Sequence, residues 1–260
     1  EGAAGNKSKA FWARIKKEGE GSLYENIFNE FPEIEFIVDS SKDVFWIQKQ
    51  ADLLQKKGIR VFHVLIWKDP LELAHSYYKR NKLAVWEKVW INYHRSYFSF
   101  FNNFISIPFK KFIHDNQTLK QLCNDLGIGY YSGKREYWNK EHYTLFGSTT
   151  TKLHIYNKNN ANYTKATTII NNRPNEDVAN RKENYRKIYY KEITNNELTG
   201  FVKERLEKNP YFDICQKILM NPARHSNLIR KYKFSAIYLF LKEIKQKYKT
   251  LKFKFGLLIR

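Results

Sequence analysis

The sequence predicts an α/β protein in which a parallel β-sheet is flanked by helices. Two apolar runs carry that expectation, residues 36–38 (Phe-Ile-Val) and residues 61–67, because each ends in polar residues and hands over to a helical period. The second run is nearly all apolar, the pattern of a strand covered on both faces. Between them Val44, Ile47, Ala51 and Leu54 fall on one helical face, Lys56 and Lys57 suit the negative end of the helix dipole, and Gly58 supplies a stop. Strand, helix and strand together read as a βαβ unit with two parallel strands.

The next helix announces itself by its cap. Asp69 suits the N-cap, Pro70 the first helical position, and Glu72 lies three residues after the cap. That helix is expected to run through Arg80. A further helix from residue 84 to about 101 carries Trp86, Val89, Trp90, Tyr93, Tyr97, Phe100 and Phe101 at spacings of three, four and seven, a stripe that reads as core. Residues 104–107 read as a short strand, and after Pro108 a helix is expected to end near Leu126 and Gly127.

The rest of the chain is read from composition. Residues 156–184 are rich in Asn, Lys and Thr and read as a long loop or insertion. The last thirty residues are strongly basic, with Ile237, Phe240, Leu241, Ile244, Tyr248 and Leu251 at helical spacing. Such a helix docks on the domain or lies on an anionic membrane surface. The expected organisation is therefore a core over 1–155, with its central βαβ unit at 35–80, the insertion at 156–184, and a basic helical extension of the same domain at 185–260.

At 260 residues the chain can bury a sizeable core, and an apolar share of 42% with 17% aromatics excludes a disordered chain. Forty-six Lys and Arg against 26 Asp and Glu favour an anionic partner: nucleotide, nucleic acid, acidic glycan or membrane face. Cys123 and Cys215 stand far apart and form no metal-ligand or redox spacing, which argues against a disulfide framework. No stretch approaches the roughly 18 uninterrupted apolar residues of a membrane span.

In a parallel sheet, ligands bind outside the carboxyl ends of the strands. Ser40, Ser41 and Lys42 follow the first expected strand, with backbone N–H groups of the next helix open to an anion. Lys68 follows the second strand. Ser76 lies eight positions after Lys68, and Arg80 four after Ser76, so both fall on one helix face. Two cations and a hydroxyl are expected to converge on one phosphate. Singly, Lys68 and Arg80 read as solvated charges and Ser76 as a neutral helix residue; the spacing favours the phosphate reading. His63 reads as a core histidine, while His75 and His94 are open to either burial or exposure.

At these residues the chain resembles the PAPS-dependent sulfotransferases, PAPS being 3′-phosphoadenosine-5′-phosphosulfate. FIVDSSK (36–42) and LIWKDPLELAHSYYKR (65–80) look like that family's paired signatures, and SIPFKKFIHDNQTLKQLCNDLG (106–127) and YWNKEHYTLFG (137–147) resemble later segments at lower specificity. The resemblance covers roughly residues 36–152, with a fainter echo near 185–206. It implies a three-layer, P-loop-like sulfotransferase fold and a 3′-phosphate site at Lys68, Ser76 and Arg80. The family usually has Arg where Lys68 stands; lysine keeps the charge and loses the bidentate fork.

The resemblance further implies that Lys42 stabilises the leaving oxygen, that Ser148 and Lys152 lie near the phosphosulfate, and that His142 lies near the pocket as a second catalytic candidate. It implies PAPS as donor, PAP (3′-phosphoadenosine-5′-phosphate) as product and no metal; the acceptor is left open among sugar hydroxyls, amines, tyrosine and small metabolites, with the positive surface favouring an acidic or carbohydrate one. The family's Arg-Ser-Gly phosphate loop does not occur in this chain, and residues 2–8 (GAAGNKS) lack the glycine before the lysine that a Walker A loop requires. An N-terminally truncated domain is therefore expected, its first strand and 5′-phosphosulfate loop upstream of Glu1. A non-catalytic polyanion- or nucleotide-binding module keeping only the 3′-phosphate half-site is the alternative. A nucleic-acid-binding protein is a third reading, for which no reader motif is present.

Overall fold

A computed structural model of the chain describes residues 3–19, 21–135, 168 and 196–230. It is mostly helical with a small parallel sheet, in keeping with a broad α/β class. The chain divides into two compact units, Glu1–His63 and Val64–Arg260. Their charge differs sharply: residues 1–63 carry ten Lys and Arg and ten Asp and Glu, so the whole positive excess belongs to residues 64–260. The expectations for 156–184, for the basic helix at 237–251, and for His142, Ser148 and Lys152 fall outside the described residues.

In the first unit, helix α1 (Ala3–Glu18) buries Phe11 and Ile15, one turn apart, and Phe11 meets Phe31 edge-on at 5.4 Å. Helix α2 (Leu23–Glu30) is tied back by Arg14, which donates to Glu30 at 3.0 Å. Helix α3 (Val44–Gln55) forms as its period foretold, with Val44 and Ala51 buried. It closes in a Schellman turn: Gly58 takes φ +75°, its N–H reaches Gln55 and that of Ile59 reaches Leu54. Only glycine adopts that conformation without strain.

Residues 36–38 are not a strand. The chain from 35 to 43 runs without ladder pairing, Val38 is 86% exposed, and Asp39 folds it into a tight turn at Ser41. A strand is stabilised by its neighbours across the sheet, and local apolar character cannot supply one. The expected βαβ unit at 35–80 therefore does not form.

In the second unit, strand β1 (Val64–Trp67) pairs in parallel with β2 (Ile105–Pro108), in the register Val64–Ile105 to Trp67–Pro108. The crossover between them is helical: α4 (Pro70–Tyr78), a 3₁₀ turn at Leu83–Val85, and α5 (Trp86–Phe100). Strand β1 is shorter than expected and covered on one face only among the described residues, with Leu65 and Trp67 buried and Ile66 41% exposed. Helix α4 stops two residues before Arg80, in a second Schellman turn closed by Asn81 at φ +55°.

The aromatic stripe of α5 is core, as its spacing foretold. Trp86, Trp90 and Tyr97 are buried, with Phe101 just beyond the helix, while Val89 is exposed. Instead of one helix after Pro108 there are two, α6 (Phe109–His114) and α7 (Asn116–Leu126), because the Asp115 carboxylate leaves the helical path to cap Gln117 N at 2.9 Å and to accept from Thr118 Oγ1 at 2.6 Å. Two further helices, α8 (Asn196–Lys208) and α9 (Pro210–Met220), and a helical stretch at 226–230 that buries Ile229 add to the described core. Helix α9 is capped by Asn209, which also donates to Glu87 on α5 at 2.7 Å, and its Phe212 stacks on Trp86 at 5.4 Å and meets Trp90 at a tilt at 5.2 Å.

One hydroxyl ties sheet to helix. Ser106 on β2 accepts from Trp67 Nε1 at 3.0 Å and donates to the carbonyl of Leu219 at 2.5 Å. Ser106→Ala leaves both partners unmatched in a part-buried place and should cost about 1–3 kcal/mol in chemical denaturation. A variant as stable as the parent would show that water replaces the hydroxyl there.

Candidate functional site

The candidate site lies at the carboxyl end of β1. Lys68 is the first residue past the strand and is half-buried. Its backbone is fixed by the buried Trp90, whose Nε1 donates to the Lys68 carbonyl at 2.9 Å. Its ammonium sits 4.7 Å from the centre of the Phe109 ring. That meeting follows from register: Trp67 pairs with Pro108, so the next residue of each strand, Lys68 and Phe109, emerges at the same edge.

Helix α4 and the turn that closes it then carry the rest of the predicted trio. Asp69 and Glu72 form the foretold capping box, with Asp69 accepting from Leu71 N at 2.8 Å and Glu72 accepting from Asp69 N at 3.2 Å. Burial raises the Asp69 carboxyl above its ordinary range, more than its bonds to backbone N–H groups lower it. Ser76 is half-buried at the end of the helix's second turn. Arg80 is exposed, in the closing turn one helical turn later. Strand end, helix body and helix end thus carry Lys68, Ser76 and Arg80 within one continuous strand–helix segment.

The other predicted group belongs to the first unit. Ser40, Ser41 and Lys42 are all exposed in the segment before α3. Ser41 is already engaged: its N–H and hydroxyl donate to Asp39 at 2.6 and 3.2 Å, and the same carboxylate accepts from Tyr24 Oη at 2.6 Å and Trp46 Nε1 at 3.2 Å. The N–H groups at the start of α3, expected to be open to an anion, are taken by Asp43, which accepts from Phe45 and Trp46 at 2.9 and 3.1 Å. A carboxylate fills the place an anion would take, which corrects that expectation. Without a βαβ unit at 35–80, the sheet-based reason for pairing Lys42 with Lys68 is also lost.

No family model, no curated protein and no solved structure matches this chain. What can be said of the site rests on its own geometry and chemistry.

His94, open to either environment from sequence, is buried at 4% exposure and packs against Trp90, ring centres 4.1 Å apart and tilted by 47°. Its Nδ1–H donates to the Trp90 carbonyl at 2.7 Å, and burial lowers its pKa to about 4. It is a neutral core residue behind the Lys68 anchor. His63, half-buried just before β1, is likewise lowered by burial, partly offset by Asp52. Among the described residues no cluster of three His, Cys, Asp or Glu could hold a metal.

Two features escaped the sequence reading. Phe109 was visible only as an aromatic after Pro108, and its contact with Lys68 needs the strand register. Asp39 carries a local signal, since Asp followed two residues later by a free N–H is the pattern of an Asx turn. The first unit also holds an open apolar groove of about 380 Å³, lined by Phe11, Trp12, Phe31, Phe36 and Ile37 among others.

Proposed function

We propose that this chain is a PAPS-dependent sulfotransferase, moving a sulfuryl group to a hydroxyl or amine acceptor, such as one on a glycan, and that its second unit belongs to a three-layer, P-loop-like sulfotransferase fold. One observation carries the reading. A lysine leaves the carboxyl end of a parallel strand, and the capped helix that follows brings a serine and, in the turn that closes it, an arginine, at a spacing that resembles the family's 3′-phosphate site. An ammonium, a hydroxyl and a guanidinium are a fitting donor set for a phosphate dianion. Because Asp69 already satisfies the first amides of α4, the phosphate depends on these side chains rather than on the helix N-terminus.

In such a transfer the acceptor attacks sulfur in line as the bond to the 5′-phosphate oxygen breaks, and PAP leaves with the charge that develops there. By resemblance Lys42 stabilises that oxygen with Ser41 and Ser148 as supporting donors, and a histidine or carboxylate takes the acceptor's proton.

Lys68→Ala and Arg80→Ala each remove a charge-assisted contact and should weaken PAP binding by about 1.5–3 kcal/mol, roughly 10- to 150-fold. Titration calorimetry measures this, and unchanged affinity in both folded variants would remove the site. Transfer of labelled sulfate from PAPS to a panel of hydroxyl and amine acceptors tests the activity itself. PAP binding without transfer would favour the second reading, a non-catalytic module for nucleotides or polyanions. That reading draws on the charge partition, which places the whole positive excess in residues 64–260.

A further inference from the structure

We infer that Phe109 is a positioning residue for Lys68, an inference that rests on the 3′-phosphate reading of Lys68, Ser76 and Arg80. Lysine at this place lacks the planar fork of arginine, so its ammonium must be held by something other than its own geometry. Trp90 and Phe109 both bear on where that ammonium lies. Trp90 fixes the Lys68 carbonyl at 2.9 Å, which sets where the side chain starts. The Phe109 ring receives the ammonium at 4.7 Å, which sets where it ends.

A ring face suits this task better than a carboxylate. It attracts the cation through its quadrupole and places no negative charge beside an incoming phosphate. An ammonium resting on a ring keeps N–H donors on its far side, and a pre-placed lysine loses less rotamer freedom when the anion arrives. The parallel register keeps the two residues together, since both leave the sheet one position past the Trp67–Pro108 pair. Phe109 needs no contact with the ligand to do this.

The test is a double-mutant cycle read by titration calorimetry with PAP and, separately, with adenosine 5′-monophosphate (AMP), which lacks the 3′-phosphate. Phe109→Leu keeps the apolar bulk and removes the π face; Phe109→Trp strengthens it. PAP affinity should fall about two- to fivefold in Phe109→Leu and be kept or raised in Phe109→Trp, with AMP affinity equal in both. In a Lys68→Ala background the order Trp, Phe, Leu should vanish.

If Lys68→Ala weakens PAP while Phe109→Leu does not, the inference fails and the phosphate site stands. An equal loss of PAP and AMP affinity that persists in the Lys68→Ala background would show that the ring touches the adenosine instead. If Lys68→Ala itself leaves PAP affinity unchanged, the phosphate reading fails and this inference with it. Thermal melts of each variant establish that the comparison is between folded proteins, and Phe109→Trp carries the test alone should Phe109→Leu unfold.

Discussion

Trp90→Ala is expected to destabilise the protein by about 3–5 kcal/mol, the range for removing a buried aromatic side chain. Trp90 is 2% exposed and lies between His94 at 4.1 Å and Phe212 at 5.2 Å, so the cavity would open between α5 and α9. The change also removes the donor to the Lys68 carbonyl, linking core packing to the candidate site. Trp90→Phe separates the effects, because it keeps most of the ring and loses the N–H. Its stability loss should be nearer 1–3 kcal/mol, with a fall in PAP affinity that packing alone would not cause. Urea titrations measure both variants, and a loss below about 1 kcal/mol for Trp90→Ala would contradict the packing described.

Acidification should weaken the fold through His94 by about 3 kcal/mol in total. Its folded pKa of about 4 lies below the ordinary 6.5, so the unfolded chain takes up a proton that the folded chain refuses. The contribution is whole above pH 6.5, is lost as pH falls toward 4, and levels off below that. Neighbouring Trp90, Tyr93 and Phe98 offer no carboxylate to offset it. Asp69 acts in the opposite sense: its raised pKa means the folded state gains relative stability once pH drops far enough to protonate it. His94→Phe should flatten the slope between pH 6.5 and 4. A slope that survives this substitution would assign the acid sensitivity elsewhere.

The alkaline side has its own groups. Burial pushes the Cys215 thiol up to about 12 and raises the Tyr93 and Tyr97 hydroxyls above their ordinary value, so each resists ionisation within the fold. Stability should therefore decline again as pH passes the ordinary pKa of each group.

What could be read from sequence was what local chemistry decides. Asp69-Pro70 with Glu72 foretold the start of α4, and Gly58 the end of α3, because caps and left-handed turns are set by the residues that form them. The α5 stripe is legible in the sequence because a long period of large aromatics has few ways to be buried. Asn209-Pro210 carries the start of α9 in the same way, an N-cap side chain followed by proline at the first helical position.

The strand assignments show where local reading stops. Residues 36–38 look as strand-like as β1 does, yet only β1 finds a partner, and that partner lies some forty residues further on. Helices α6 and α7 merged in the reading because their apolar pattern runs on across Asp115, where a capping carboxylate and Thr118 break it. At the candidate site, Lys68, Ser76 and Arg80 could be picked out by spacing. Phe109, which touches Lys68, could not, because the contact is a consequence of pairing between distant strands. At Ser41 the residue was visible while its occupation by Asp39 was not.

Residues 68–80 are proposed as a site for a 3′-phosphate. Titrating the full chain with PAP and with AMP tests it most directly, since the two ligands differ only in that group. PAP should bind at least about tenfold more tightly, the increment of one or more charge-assisted contacts, and Lys68→Ala with Arg80→Ala should abolish the difference. Equal affinity for PAP and AMP in the parent protein would contradict the account.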